Sequence, residues 1–312
     1  MIYTLTLNPA IDLFIDTNEM NPNTVNRTNS YDIQANGKGV NVSFILKKLG
    51  VNSKALGIGG GFTSKFIEET LTNYGIENDF INVPEPTRIN VFTHVNSTNQ
   101  EFKLVNPGPT VPIARQEELL KKIQGIVIEN DYLVISGSFA KGIDPAIIEK
   151  IAKIIEQNNA HLIVDTSYSN VLDILKYKPL LIKPNEVELA TWFKHSPDES
   201  AEELIKDAKK LIDLGAENVL LSLGADGAIL INKNHTLKGN APKISVLNTA
   251  GSGDTMLGTF IGGMVKGMTN EDNLIKSIAA GSDTASKSWL TEFEDDRMNE
   301  LVNQIKIEKM EV

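Results

Sequence analysis

The 312-residue chain contains no cysteine, which excludes a disulfide framework, a thiol nucleophile and thiolate metal ligation. Its four histidines (His94, His161, His195 and His235) are scattered and suggest no metal cluster. No apolar run approaches the ~18 residues that a membrane span needs. The opening Met1–Leu7 alternates like a strand without a basic segment, unlike a signal peptide. Positive charge is in short supply. Thirty Lys and Arg face 40 Asp and Glu, a formal net charge of −10, and such a surface repels nucleic-acid phosphates and anionic lipids. The expectation is a cytoplasmic protein with no nucleic-acid or membrane partner. Internal repeats and low-complexity linkers are also absent, as is any Gly-x-x-x-x-Gly-Lys-Ser/Thr loop, which excludes P-loop chemistry. An anionic small molecule remains compatible where a local cluster of Arg, Lys and backbone N–H outweighs the overall field.

What is present is an alternation of strand and helix. Strand-like runs fall at 2–7, 54–58, 132–136, 161–164, 180–182, 219–222 and 228–231. Several are nearly continuously apolar, as strands covered on both faces are. Between them, Val42, Ile45, Leu46 and Leu49 recur at helical spacing, and Asp144-Pro145 reads as the N-cap and first turn of a helix running through Ile155. Met256–Val265 and Leu274–Ile278 form two late helices. The pattern predicts an α/β sandwich with a mostly parallel central sheet. Two segments break the rhythm. Ile11–Thr17 reads as a strand, and Arg88–Val95 with Glu101–Val105 as a hairpin about a polar turn. Residues 11–35 and 88–105 are therefore expected to form a small β lid over a core of 1–10, 36–87 and 106–312, able to exclude water from the site.

The candidate sites lie at strand-to-helix junctions. Asn248-Thr-Ala-Gly-Ser-Gly-Asp254 runs straight into the helix at Met256. Gly251 and Gly253 let the backbone approach an anion, Ser252 lies between them, and the helix start adds unsatisfied N–H donors. Asp254 then reads either as the base that takes a hydroxyl proton during phosphoryl transfer or as an ordinary helix cap. In Lys183-Pro-Asn-Glu-Val-Glu188, Asn185 and Glu188 have capping-box spacing. The alternative sets Lys183 on phosphates and Glu188 toward Mg²⁺, an ion that prefers oxygen and retains water. Ser222-Leu-Gly224-Ala225-Asp226-Gly227 is either a nucleotide-contacting loop or a tight connection. Asn36-Gly37-Lys38-Gly39-Val40-Asn41 suits a polyol phosphate, or is a flexible loop with a solvated lysine. Asp12 is either an acceptor for sugar hydroxyls or a turn residue. Arg88 and Arg27 are each able to fork onto a phosphate, or are surface charges. Gly57-Ile-Gly-Gly-Gly-Phe62 departs from a dinucleotide fingerprint at Phe62 and lacks the acidic residue about 20 positions on.

The order of these motifs along essentially the whole chain resembles the ribokinase-like carbohydrate kinases of the PfkB family. The resemblance implies a three-layer core with a β-sheet lid, ATP and Mg²⁺. It implies Asp254 as base, with Gly251, Ser252 and Gly253 as an anion hole. Lys183, Asn185, Ser222 and Gly224–Gly227 would meet the nucleotide, and Glu188 would hold Mg²⁺ through water. The same resemblance places Asp12, Gly37, Lys38, Asn41, Arg88 and Arg27 on the phosphosugar, with Ser138 nearby. The opening Met1–Pro9 and Thr87–Val91 look like the phosphosugar kinase branch, which includes 1-phosphofructokinase and tagatose-6-phosphate kinase. The expected reaction is fructose 1-phosphate to fructose 1,6-bisphosphate, with tagatose 6-phosphate or fructose 6-phosphate as alternative acceptors. A homodimer through the lid is expected. One departure stands out: the branch usually reads Gly-Gly-Lys-Gly, and here Asn36 replaces the first glycine. Asn tolerates left-handed backbone angles, so the loop is expected to persist with altered sugar contacts. The same departure raises the alternative of a non-catalytic sugar-phosphate sensor, against which the Gly-Ser-Gly-Asp254 element argues.

Overall fold

The computed structural model describes residues 1–196 and 200–310. Its strands are β1 (Ile2–Thr6), β2 (Ala10–Thr17), β3 (Ser30–Asn36), β4 (Ser53–Gly60), β5 (Glu77–Val83), β6 (Arg88–Val95), β7 (Gln100–Leu104), β8 (Tyr132–Ser136), β9 (His161–Asp165), β10 (Leu181–Ile182), β11 (Asn218–Ser222), β12 (Ala228–Asn232), β13 (Thr236–Gly239) and β14 (Ile307–Met310). The helices are α1 (Lys38–Lys48), α2 (Gly61–Asn73), α3 (Ile113–Ile126), α4 (Ile147–Gln157), α5 (Glu186–Trp192), α6 (Ala201–Asp213), α7 (Ser252–Val265), α8 (Asn270–Ala285) and α9 (Asp295–Val302).

A 10-stranded sheet runs β14-β13-β12-β11-β10-β9-β8-β1-β4-β5. Strands β5 through β11 in that order are parallel, and β12 to β14 add an antiparallel edge. Alternate side chains enter opposite cores, the period-2 consequence of the pleat. In β8, Leu133 and Ile135 pack with α3, α4 and α6 through Leu119, Ile148 and Leu211. Val134 faces the other way, toward Val42 of α1, Leu257 of α7 and Ile278 of α8. Covering helices on both sheet faces explain the continuous apolar strands.

A separate 4-stranded sheet has the order β3-β2-β6-β7. The hairpin predicted from the sequence is its β6–β7 pair, with Val95 opposite Gln100 and Asn99 at φ 49° closing the turn. Strand β3 is only faintly legible in the sequence: Tyr31, Ile33 and Ala35 alternate with polar residues, but the run is short and Tyr31 and Ile33 stay exposed. The helix predicted from Asp144 begins later. The carbonyls of Asp144 and Pro145 accept from the N–H groups of Ile147 and Ile148, a tight i+3 turn, and the α-helix starts at Ile147. Among the described residues, no helix is long and apolar enough to cross a membrane.

Candidate active site

The carboxyl ends of the parallel strands point to one edge of the large sheet, the usual position for a ligand in an open α/β fold. Asn8 follows β1, Ser138 follows β8, Asp165 ends β9, Lys183 follows β10 and Ser222 ends β11. The starts of α1 and α7 come to the same edge. From the small sheet, β2 and β6 bring Asp12, Arg88 and Asn90.

Gly251, at φ 79°, is the N-cap of α7 and makes no side-chain cap. The helix-cap reading of Asp254 therefore does not hold. Asp254 lies in the first turn, 6% exposed, and its Oδ2 accepts a 2.8 Å hydrogen bond from Asn41 Nδ2. Burial pushes its carboxyl up to about 6, against the pull of the Lys38 ammonium. The first intrahelical bond of α7 runs from Thr255 N–H to Gly251 O, 2.8 Å. The N–H groups of Gly253 and Asp254 precede it and have no helical acceptor. Lys183 Nζ is close by, 3.4 Å from where a Cβ on Gly253 would stand. Ser252 Oγ is buried without a hydrogen-bond partner.

Asp165, 0% exposed, ties the two halves together. Its Oδ1 lies 3.3 Å from Lys38 Nζ and 3.3 Å from Lys183 Nζ. Burial alone would raise its pKa, but the two ammonium groups hold it below the usual carboxylate range. In turn Asp165 keeps Lys38 firmly charged. Lys38 opens α1 behind the N-cap Gly37, whose φ of 136° disfavours a side chain and where a Cβ would stand only 2.8 Å from Thr6 Cγ2. The sequence reading missed Asp165. The signal was an acidic residue at the carboxyl end of a buried parallel strand.

Around Asp12 the small sheet and α1 meet. Asp12 Oδ1 accepts from Asn90 Nδ2 at 2.7 Å and Oδ2 from Asn36 Nδ2 at 2.6 Å. Burial pushes its carboxyl up, while Asn90, Arg88 and Asn36 pull it down. Asn36 Oδ1 accepts from Gly37 N–H at 2.5 Å and from Asn41 Nδ2 at 3.0 Å. Asn36 is not among the positive-φ residues. It ends a strand, so its tolerance of left-handed angles is not what suits it to the position. Arg88 donates to Asn8 O at 3.0 Å and to Asn106 O at 3.1 Å, leaving Nε buried and unpartnered. Asn8 Nδ2 donates to Ser138 Oγ at 3.4 Å, and Phe139 N–H to Tyr168 Oη at 3.1 Å. Asn8 and Asn90 lie within the stretches Met1–Pro9 and Thr87–Val91 that the sequence marks out, but without a role of their own there, and Tyr168 was missed because nothing in local spacing distinguishes it.

On the other side, the capping box is real. Asn185 Oδ1 accepts from Glu188 N–H at 2.8 Å, and Glu188 Oε2 accepts from Asn185 N–H at 3.0 Å. Ser222 bridges to Asn185, and Gly224, Ala225 and Asp226 form a short 3₁₀ turn closed by Gly227 at φ 97°. Arg27 is not brought to this site within its own chain. It is exposed, on the β2–β3 connection, where its carbonyl accepts from Thr17 Oγ1 at 3.2 Å. Thr17 lies far down β2 from Asp12, about 16 Å at strand rise.

A buried carboxylate at the lip of an anion-binding helix start can accept a hydroxyl proton beside a phosphate, which is the arrangement of a small-molecule kinase. Comparison with known proteins narrows that class. The profile described as pfkB family carbohydrate kinase matches residues 5–294. A D-tagatose-1-phosphate kinase of Bacillus licheniformis is 45% identical over 98% of this chain and 99% of its own length. A 1-phosphofructokinase of Borreliella burgdorferi is 39% identical over 99% and 98% respectively. Phosphofructokinase-2 from Escherichia coli, solved with substrates and products, superposes with a TM-score of 0.86 at 25% identity, covering 97% of this chain and 98% of that one. The chain belongs to the pfkB family of carbohydrate kinases. It is a phosphotransferase with a sugar hydroxyl as acceptor and, as the family implies, ATP as donor, which sets aside the alternative of a non-catalytic sensor.

Proposed function

We propose that the chain transfers the γ-phosphate of ATP to O6 of a ketohexose 1-phosphate, fructose 1-phosphate foremost, with Asp254 as the base. The observation that carries this is the Asp254 carboxylate, buried in the first turn of α7 beside the free N–H groups of Gly253 and Asp254. A base with a pKa of about 6 is ionised at neutral pH yet basic enough to take the hydroxyl proton as the O–P bond forms. The helix start and Lys183 bear the charge that develops on the transferred phosphoryl group. Lys38, fixed by Asp165, and Arg88, through its unpartnered Nε, hold anionic groups of the acceptor. Gly37 gives the sugar access to backbone there, Ser138 lies beside Asn8, and Asn41 Oδ1, buried without a partner, accepts a sugar hydroxyl. Ser222 and Gly224–Gly227 line the nucleotide side next to Asn185.

Mg²⁺ fits the donor set. The ion keeps several of its waters and binds mainly to phosphates, so one or two protein carboxylates suffice to hold it. Asp165 Oδ2 is a buried carboxylate oxygen without a hydrogen-bond partner, and Glu188 is close enough to act on the charge of Lys38. Those two carboxylates would hold the ion, Glu188 through water, and it supplies neutralisation of the phosphate charge.

The small sheet, residues 11–35 and 88–105, acts as a lid, since it carries Asp12 and Arg88 onto the acceptor. One of its faces stays apolar. Tyr31, Ile15, Thr93 and Phe102 form one cross-strand row, and Ile33, Leu13, Val91 and Leu104 another. Tyr31 and Leu104 are more than 60% exposed. A second copy of the chain covers this face in a homodimer. The setting is the cytoplasm, where ATP is available.

D-tagatose 1-phosphate is the second reading, favoured by the 45% identical relative of that name. It has the same phosphate position and the same free primary hydroxyl as fructose 1-phosphate, and differs in one ring hydroxyl. A coupled assay with ATP, Mg²⁺ and the 1- and 6-phosphates of fructose and tagatose tests the proposal. The highest kcat/KM is expected for a 1-phosphate. A highest value for a 6-phosphate overturns the acceptor assignment, and turnover of unphosphorylated sugars alone overturns the phosphosugar reading.

A further inference from the structure

Asn36 stands where the resembling branch usually carries glycine, yet its side chain is one of the most fully engaged in the site. It ends β3 opposite Ala10, one pleat from Asp12 in β2. Both ends of its amide are used. Nδ2 donates to Asp12 Oδ2 at 2.6 Å, while Oδ1 accepts from Gly37 N–H at 2.5 Å and Asn41 Nδ2 at 3.0 Å. Since Asn90 Nδ2 holds Asp12 Oδ1 at 2.7 Å, the Asp12 carboxylate is gripped at both oxygens and its plane is set. Asn41 Nδ2 is shared between Asn36 Oδ1 and Asp254 Oδ2, so Asn36 also sets the direction of the unpartnered Asn41 Oδ1. A continuous chain of hydrogen bonds thus runs Asn90, Asp12, Asn36, Asn41, Asp254. A glycine at position 36 would remove its central link.

We propose that Asn36 is a positioning residue that sets the choice between epimeric ketohexose phosphates, by fixing two hydroxyl acceptors, Asp12 and Asn41 Oδ1, relative to one another. This rests on the reading of Asp12 and Asn41 as sugar contacts. A carboxylate has about four lone-pair directions, so the gripped Asp12 keeps acceptor capacity on each oxygen, in directions that cannot swing. Epimers at a ring carbon aim the same hydroxyl to opposite faces. Acceptors that cannot move favour one epimer, because the other leaves a buried polar group unpaired. Acceptors free to turn accommodate both.

The test is steady-state kinetics of wild type, Asn36→Gly and Asn36→Asp with both epimer pairs, the 1-phosphates and the 6-phosphates of fructose and tagatose. Asn36→Gly installs the residue the branch usually carries. Asn36→Asp keeps the size but sets an oxygen against Asp12 Oδ2. Expected are an increase of about 10-fold in KM for the preferred acceptor, at least about a five-fold narrowing of the kcat/KM ratio between epimers, and a KM for ATP within about two-fold of wild type. An epimer ratio unchanged within about two-fold in both variants overturns the proposal. A KM for ATP that rises along with that for the sugar also overturns it, as a general structural loss. Wild type that phosphorylates no member of either pair overturns the phosphosugar reading, and this inference with it.

Discussion

Asn41 Nδ2 donates to Asp254 Oδ2 at 2.8 Å, across 213 positions of sequence and with both residues buried. The bond joins the first helix to the start of α7 and favours the charged form of the carboxylate. Removing it should therefore raise the pKa of Asp254. For Asn41→Ala we expect kcat to fall about 10-fold and the acidic limb of the rate profile to move to higher pH, read from kcat between about pH 5 and 8. An unshifted limb would show that Asn41 does not tune the base.

The same carboxylate makes a stability prediction. Its folded-state pKa of about 6 exceeds the ordinary aspartate value of 3.8. The folded state thus binds the proton more tightly than the unfolded one. That contribution is complete below the unfolded pKa and is lost as pH rises through about 6. Asp254→Asn has no such loss. Its Tm should exceed that of wild type at about pH 8, with the difference shrinking toward zero near about pH 4, measured by calorimetry at constant ionic strength. A constant difference across that range would contradict a buried, destabilised carboxylate.

Asp165→Asn removes the buried negative charge that Lys38 and Lys183 share, and Lys183 is 4% exposed. A buried cation left without its partner is costly, so denaturant unfolding should show a loss on the order of 3–5 kcal/mol. Activity should fall with it, because both lysines lose their anchor. A variant of wild-type stability would show that the pair is more solvated than its burial implies.

Tyr31→Lys combined with Leu104→Lys places charge in the apolar rows on the small sheet. If a second copy covers that face, the wild-type chain should run as a dimer by light scattering and the double variant as a monomer. A monomeric wild type would contradict the homodimer.

Much of the fold is legible in the amino-acid order alone. Continuous apolar runs such as Leu133–Ile135 announce strands buried on both faces, and the large sheet follows from them. Strand β3 is only faintly legible: Tyr31, Ile33 and Ala35 alternate with polar neighbours, but Tyr31 and Ile33 turn outward on the small sheet rather than into a core. In the site, motif residues are legible because glycines and a charge at a helix start have a local reason to be there. Asn90 has only a spatial one, and Asp165 little more than its place at the end of a buried strand. Each becomes significant by what lies across from it, Lys183 in one case and Asp12 in the other, and sequence spacing does not encode that proximity. Asn36 is legible as a departure, but its reason, a bond to Asp12, is equally non-local.

The central claim is that Asp254 is the base. The measurement that tests it most directly is kcat of Asp254→Asn with ATP, Mg²⁺ and the best sugar phosphate, alongside nucleotide affinity by calorimetry. The variant keeps the shape and the bond partner of the carboxylate but cannot take a proton. Expected is a kcat lower by at least about 100-fold with nucleotide affinity little changed. A variant with near-normal kcat would contradict the assignment of Asp254 as the base.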